Sequence, residues 1–202
     1  MQQPSTLDAQ QILRLHDQAN SLWHTEPTTA QVPGADAALL ALILAQHLEN
    51  FELWHQEDKA RDPHATDAAI THVKHAIDAY NQRRNDLAEQ VDDILLHLAA
   101  PQNDAAPLHS ETPGLIIDRL SILSLKIFHT EEETHRATAT EDHRQRNRDR
   151  LALLLAQRAD LAQCLEELWA AVATGTRRFK VYRQMKMYND PDLNPVLYTT
   201  HS

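Results

Sequence analysis

Glycine is nearly missing from this chain. Three of 202 residues are glycine, and with the nine prolines they fall between, or at the ends of, long stretches of helical periodicity. So few glycines leave no phosphate-cradling loop, no dinucleotide fingerprint and no nucleophile elbow. Cysteine occurs once, as Cys164, which excludes an internal disulfide and a Cys-x-x-Cys pair. No apolar run approaches the roughly 20 residues that cross a bilayer. The longest, Ala37 to Ala45, reads as part of a buried helix. The N-terminus, MQQPSTLDAQQ, has neither a basic stretch nor an apolar core. No signal peptide is expected, and the expected location is cytoplasmic.

What is present is a chain with 42% hydrophobic residues and a formal charge of −10. Its length suits one domain, residues 1–202, with a sizeable core. The acidic balance argues against nucleic acid as a partner. Charge is uneven, however. Thr176 to Met187 carries Arg177, Arg178, Lys180, Arg183 and Lys186 and no acid. Such a segment is either a solvated tail or meets an anion, whether a ligand or the acidic body of the protein.

Five helical segments are predicted. The first spans about Thr6 to Trp23 and the second about Ala35 to Ala60, ending before Asp62-Pro63. The third starts at Thr66 as N-cap and runs to about Ala100, where Pro101 blocks it. Thr112-Pro113 opens a fourth, reaching about Arg136. Thr138 with Glu141 suggests a capping box for a fifth, which ends near Gly175. The closing YNDPDLNP reads as turns. The expected fold is all-α: an elongated antiparallel bundle of four long helices plus an N-terminal helix. Phe179 to Tyr188, rich in aromatic and apolar residues, is expected to be an ordered tail packed on the bundle.

Polar residues interrupt the apolar faces. On the second helix His47 and Asp58 share the face of Leu40, Leu44, Phe51 and Trp54, with His55 and Arg61 at its flanks. On the third, Arg84 lies in the seam of Ile77, Tyr80, Ala88 and Val91, beside a stripe that includes Asn81. Arg119 and Lys126 flank the seam of the fourth, and Arg158 lies among the leucines of the fifth. Buried charge costs several kcal/mol per ion unless it is paired and hydrogen-bonded. Four helices directing polar groups inward therefore mean either an internal ion-pair network or a polar cavity.

The cavity reading makes His55 and Asp58 the acid–base candidates. Arg61, Asn81, Arg84, Arg119, Lys126 and Arg183 would then hold a small phosphorylated or carboxylated ligand, arginine suiting both groups through its fork. Asp58, Arg84 and Arg119 are expected in one cluster. A metal reading rests on two Glu-x-x-His pairs, Glu52/His55 and Glu132/His135, the spacing used by di-iron bundles. On a helical wheel Glu52, Glu132 and His135 point off their seams, so no metal and no cofactor are expected.

Four blocks together resemble a known family: NFELWHQEDKAR (Asn50 to Arg61), IDAYNQRRND (Ile77 to Asp86), ETPGLIIDRLSILSLKI (Glu111 to Ile127) and FKVYRQMKMYNDPDLNP (Phe179 to Pro195). The family is an uncharacterised bacterial one, catalogued as domain of unknown function number four-two-five-four. The resemblance implies a bacterial source and a stand-alone domain of this length, and it brings no activity. His47 and Arg158 lie outside the blocks. Three readings follow: a bundle binding a small anion, a non-catalytic interaction or assembly protein, and a metal-dependent bundle enzyme; a homo-oligomer is compatible with each.

Overall fold

The computed structural model describes residues 7–34, 37–185 and 191–198. Five long helices carry the fold: α1 (Ala9–Trp23), α2 (Ala38–Lys59), α3 (Asp67–Leu98), α4 (Pro113–His135) and α5 (Glu141–Ala173). A four-residue helix, α6 (Pro195–Tyr198), starts at the last residue of the segment that reads as turns, of which 191–193 form a turn. The starts of the long helices follow local chemistry. Asp8, Thr66, Thr112 and Thr140 each accept a hydrogen bond from a backbone N–H of the first turn. The cap of α5 is thus Thr140, not Thr138. Gly175 follows α5 with a positive φ of 70°, the conformation that a helix stop demands.

Contacts between helices fix their directions. Glu49 meets Arg83, and the short 60–66 turn joins α2 to α3 as an antiparallel pair. Asp92 meets Gly114 while Arg84 meets Asp118, so α3 and α4 are antiparallel. Glu133 meets His143 while Ser124 meets Arg158, which does the same for α4 and α5. Helix α1 differs. Asn20 touches His47, Trp23 touches Phe51 and His24 touches His55, so α1 and α2 advance together. Helix α1 is therefore parallel to α2 and α4, and the 24–37 connection must return along the bundle.

The expected antiparallel bundle is present, but α1 is a member of its core rather than an appendage. Ile12, Leu15, Ala19 and Trp23 join Ile43 and Phe51 of α2 and Val91 and Leu95 of α3. Helix α5 adds Leu161, Leu165, Leu168, Trp169 and Val172. Each large buried aliphatic or aromatic side chain contributes about 1.5–3 kcal/mol, so Ile12, Leu15 and Trp23 offset the short length of α1. Helix α4 lies at the centre and touches all four of the other long helices. Its buried residues run around much of its circumference: Ile116, Ile117, Leu120, Ser121, Ser124, Leu125 and Ile127.

Two expected seams are only partly covered. Ile70 of α3 is 37% exposed, and Leu155 of α5 is 42% exposed. Both helices exceed 30 residues, about 48 Å at 1.5 Å per residue, while the other three long helices have 23 or fewer. Of the three rings expected between α2 and α3, Phe51 is buried, whereas Trp54 and Tyr80 are half-buried. The Arg83 guanidinium lies 4.5 Å from the Tyr80 ring centre.

The described part of the tail is held to the bundle at Phe179 and Arg183, but Tyr182 and Met185, two of the apolar residues expected to pack, are 49% and 81% exposed. Phe179 is 1% exposed, and its N–H and C=O both bond the Gln102 side chain at 3.0 Å. Arg183 forks onto Asp93 at 2.9 Å and reaches Glu89 at 3.1 Å. Lys186, Met187 and Tyr188 lie outside the described residues.

Helix α4 approaches α3 through Gly114. A Cβ there would meet the Ala88 carbonyl oxygen at 2.5 Å and the Asp92 carboxylate at 2.8 Å. Alanine is favoured over glycine in helices by about 1 kcal/mol. Overpacking against a backbone carbonyl, which cannot rotate away, costs about 1–3 kcal/mol. Gly114→Ala is therefore expected to destabilise on balance. A lowered urea midpoint by far-ultraviolet circular dichroism, with helix content unchanged, is the expected result, and an unchanged or raised midpoint would refute the close approach.

Candidate functional site

The polar groups that α4 carries inward form a connected chain. Asn50 donates to the Ser121 hydroxyl at 2.9 Å, which leaves that hydroxyl to donate to His47 Nδ1 at 2.7 Å. His47 Nε2–H then donates to Asn20 Oδ1 at 2.9 Å. Only this tautomer satisfies all three contacts. Asn50 and the Gln46 amide also donate to Asp118 Oδ1. The His16 ring stacks on His47 at 4.4 Å, and neither of its nitrogens has a hydrogen-bond partner. Burial holds His47 down at about 3 and lowers His16 as well, so both are neutral at ordinary pH.

At the side of this chain lies a cavity of about 420 Å³ between α2, α3 and α4. Arg84, Arg61, Asp58 and Asn50 supply its polar wall, and Trp54 and Leu125 part of its apolar one. Arg84 is the informative member. Its Nε lies 3.7 Å from Asp118, and Nη1 reaches Asn50 Oδ1 only at 3.5 Å. The Nε atom is buried without a hydrogen-bond acceptor. Burial raises the Asp118 carboxyl, and the nearby Arg84 charge only partly offsets that. A second cavity, about 720 Å³, lies between α4 and α5 and is lined by Arg119, Lys126, His109, Glu111 and Asp160 among others.

The sequence-predicted residues divide between these places. Asp58, Arg61 and Arg84 line the smaller cavity together. Arg119 and Lys126 line the larger one, where Arg119 bonds Glu111 at 2.7 Å. The expected cluster of Asp58, Arg84 and Arg119 is thus split. Arg119 leans toward α5, and Arg84 takes Asp118, the neighbouring residue, instead. Asn81 turns back to its own helix and donates to the Ile77 carbonyl at 3.0 Å. Arg183 sits on the acid residues of α3. Asp58 is exposed although it shares a wheel face with buried His47, because it falls in the last turn of α2.

Sequence reasoning missed Asp118, Ser121, Asn50, Asn20 and Gln46. The signal was the residue sizes in IIDRLSILSL. Small hydroxyls at Ser121 and Ser124 mark a helix enclosed by others, where a polar group is tolerated because a partner is close.

A further group gathers at the C-terminal ends of α1, α2 and α4. His24, His55 and His129 bring one ring nitrogen each to within 4.8 Å of one another. His24 stacks on Phe128 at 4.2 Å, and His129 on Trp54 at 4.8 Å. Burial lowers both His55 and His129 below the ordinary histidine value. Only His55 had been singled out from the sequence. Spacings of 31 and 74 residues carry no helical periodicity, so the grouping is invisible before folding.

Fold and site define an all-α bundle with a hydrogen-bonded polar interior and a small polar cavity. Residues 40–181 match the family model described as protein of unknown function, DUF4254. That is well over half of the chain, and the chain belongs to this family. Helix α1, with His16, Asn20 and His24, lies before the matched span. No curated protein and no solved structure matches the chain. No helix among the described residues is long and apolar enough to cross a membrane.

The neutral His47 sets a pH dependence. Its value is about 3 folded against 6.5 unperturbed, so between these pH values the unfolded chain binds more protons. Stability is then complete above pH 6.5 and falls progressively as pH drops toward 3. The loss from His47 is on the order of a few kcal/mol. His16 acts in the same direction. His47→Gln is expected to be less stable at neutral pH yet to show a shallower loss between pH 6.5 and 4. Urea unfolding across pH reads both; an unchanged slope would place the acid sensitivity elsewhere.

Proposed function

We propose that the cavity between α2, α3 and α4 binds a small anionic molecule carrying a carboxylate or phosphate. The observation that carries this is Arg84. Its guanidinium borders the cavity, and its neighbours leave a buried N–H without an acceptor. An arginine is rarely left so loosely held, because an unmet buried donor costs about 1–3 kcal/mol. That N–H is itself enclosed and faces Asp118 at 3.7 Å, so a ligand oxygen would be met by the guanidinium face that borders the cavity, after a small turn of a side chain that nothing holds tightly. Arg61, which bonds Glu57 at 2.8 Å, borders the same space and can turn toward a ligand because its side chain is 69% exposed. The volume falls in the range of small-molecule sites, roughly 300–1,000 Å³. If the molecule is turned over, Asp58 is the acid–base group within this cavity, and His55 stands one turn earlier on the same helix.

A second reading, self-association, is favoured by Leu153, which is 59% exposed on α5. Sedimentation of the purified chain tests it.

Inorganic phosphate and citrate serve as probes of the first reading. Each is expected to raise the melting temperature in a saturable way, since a ligand that binds only the folded state stabilises it. Arg84→Met strands Asp118, so the test uses Arg84→Met/Asp118→Asn, which removes both charges. This pair should fold and lose the response. Arg119→Met, in the other cavity, should keep it. A response that survives loss of Arg84, or none in the wild type, would refute the assignment.

A further inference from the structure

The three histidines at the end of the bundle carry an argument that does not depend on the cavity. His24 Nδ1 lies 2.6 Å from the Asn20 carbonyl oxygen. A carbonyl can only accept, so Nδ1 carries the proton and Nε2 is a bare lone pair. His129 Nδ1 lies 3.0 Å from a Glu132 carboxylate oxygen, which likewise only accepts. Its Nε2 is therefore bare as well. Both Nε2 atoms are buried and neither has a hydrogen-bond partner. His55 has no hydrogen bond among the described residues, and one ring nitrogen from each of the three histidines lies within 4.8 Å of the other two. Two buried acceptors without a donor cost about 1–3 kcal/mol each. A cation between them removes that cost.

We propose that His24, His55 and His129 form a binding site for a divalent transition metal of the zinc class. Three neutral imidazoles suit zinc, copper, nickel or iron, and a three-histidine set leaves a position for water or a ligand. The outer partners are those of a metal site. Ligating histidines hold their other N–H on a carbonyl or a carboxylate, as Asn20 and Glu132 do here. His24 caps the C-terminus of α1, whose last carbonyls favour positive charge beside it. Exposed Asp58 adds negative charge near His55 and His129, and Lys59 opposes it at His55. Nitrogens about 2.0–2.1 Å from a tetrahedral zinc lie about 3.3 Å apart, so the rings must close by at most about 1.5 Å. His55, held by no hydrogen bond, can make most of that movement.

This differs from the pairs that the sequence suggested. Glu52/His55 and Glu132/His135 contribute one histidine to the group, and Glu132 acts behind His129 rather than on the metal. The alternative is that the rings are only aromatic packing around Phe51, Phe128 and Trp54.

Tag-free full-length protein, stripped with chelator, is titrated with Zn(II) against a chromophoric chelator and with Co(II) by visible absorption. One equivalent of each is expected, the cobalt with the intense bands of four-coordinate ligation by three nitrogens and a water. His24→Phe and His129→Phe keep a ring in the stack and remove the nitrogen. Each is expected to fold and to lose affinity by more than about 100-fold, while Glu132→Gln loses about 10–100-fold. Exposed His72→Ala should bind as the wild type does. Should a Phe variant fail to fold, His55→Ala carries the same expectation. Absence of stoichiometric uptake by the wild type overturns the proposal. So does undiminished uptake by the His24→Phe/His129→Phe double variant, whose rings would then be packing alone.

Discussion

Every polar group that α4 carries into the middle of the bundle has to find its partner there. Helix α4 touches all four of the other long helices, so little water reaches them: Ser121 is fully buried and the Asp118 side chain is 13% exposed. Ser121 and Asp118 meet this constraint by joining His47, Asn50 and Gln46 of α2. Asn20 of α1 closes the chain at its far end. The constraint is directional as well as energetic. Ser121 can donate to His47 because it accepts from Asn50, and His47 must stay neutral for that order to hold.

The same constraint positions α1. A short amphipathic helix docked only by Ile12, Leu15 and Trp23 could slide along the groove between α2 and α4. The Asn20–His47 hydrogen bond allows one register. That register makes α1 parallel to α2 and places His24 beside His55 and His129. At the opposite end of α4, Asp92 accepts from the Thr112 hydroxyl and from the Gly114 N–H, where Gly114 lets α3 come close. Burial pushes Asp92 up to about 6 despite these bonds.

The hydrogen bonds run through Ser121, His47 and Asn50, and partners are missing on both sides of that line. On the α1 side both His16 nitrogens, the Asn20 amide N–H and the Trp23 N–H are buried without one. Toward α3, Arg84 is left with 3.5 Å and 3.7 Å contacts beside a cavity. Toward the C-terminal ends of α1, α2 and α4, His24 and His129 keep bare nitrogens. The two places are neighbours. Trp54 borders the cavity on one side and stacks on His129 on the other.

Helix number, limits and class were legible in the chain, because periodicity, Thr66, Thr112, Pro113 and Gly175 act over a few residues. The inward placement of Arg84 and His47 was legible too, since it follows from the wheel of a single helix. Pairing was not. Arg84 meets Asp118 rather than Asp58, and Arg119 turns to Glu111, because the choice depends on how two helices are rotated about their axes. The direction of α1 was hidden for a similar reason, since a connection of 24–37 can span the bundle or fold back. The histidine group is the extreme case. Its members come from three helices, at 24, 55 and 129, and only their packed ends bring the nitrogens together. Local backbone chemistry is written in neighbouring residues, whereas a site built between helices exists only once side-chain packing has set their rotation and register.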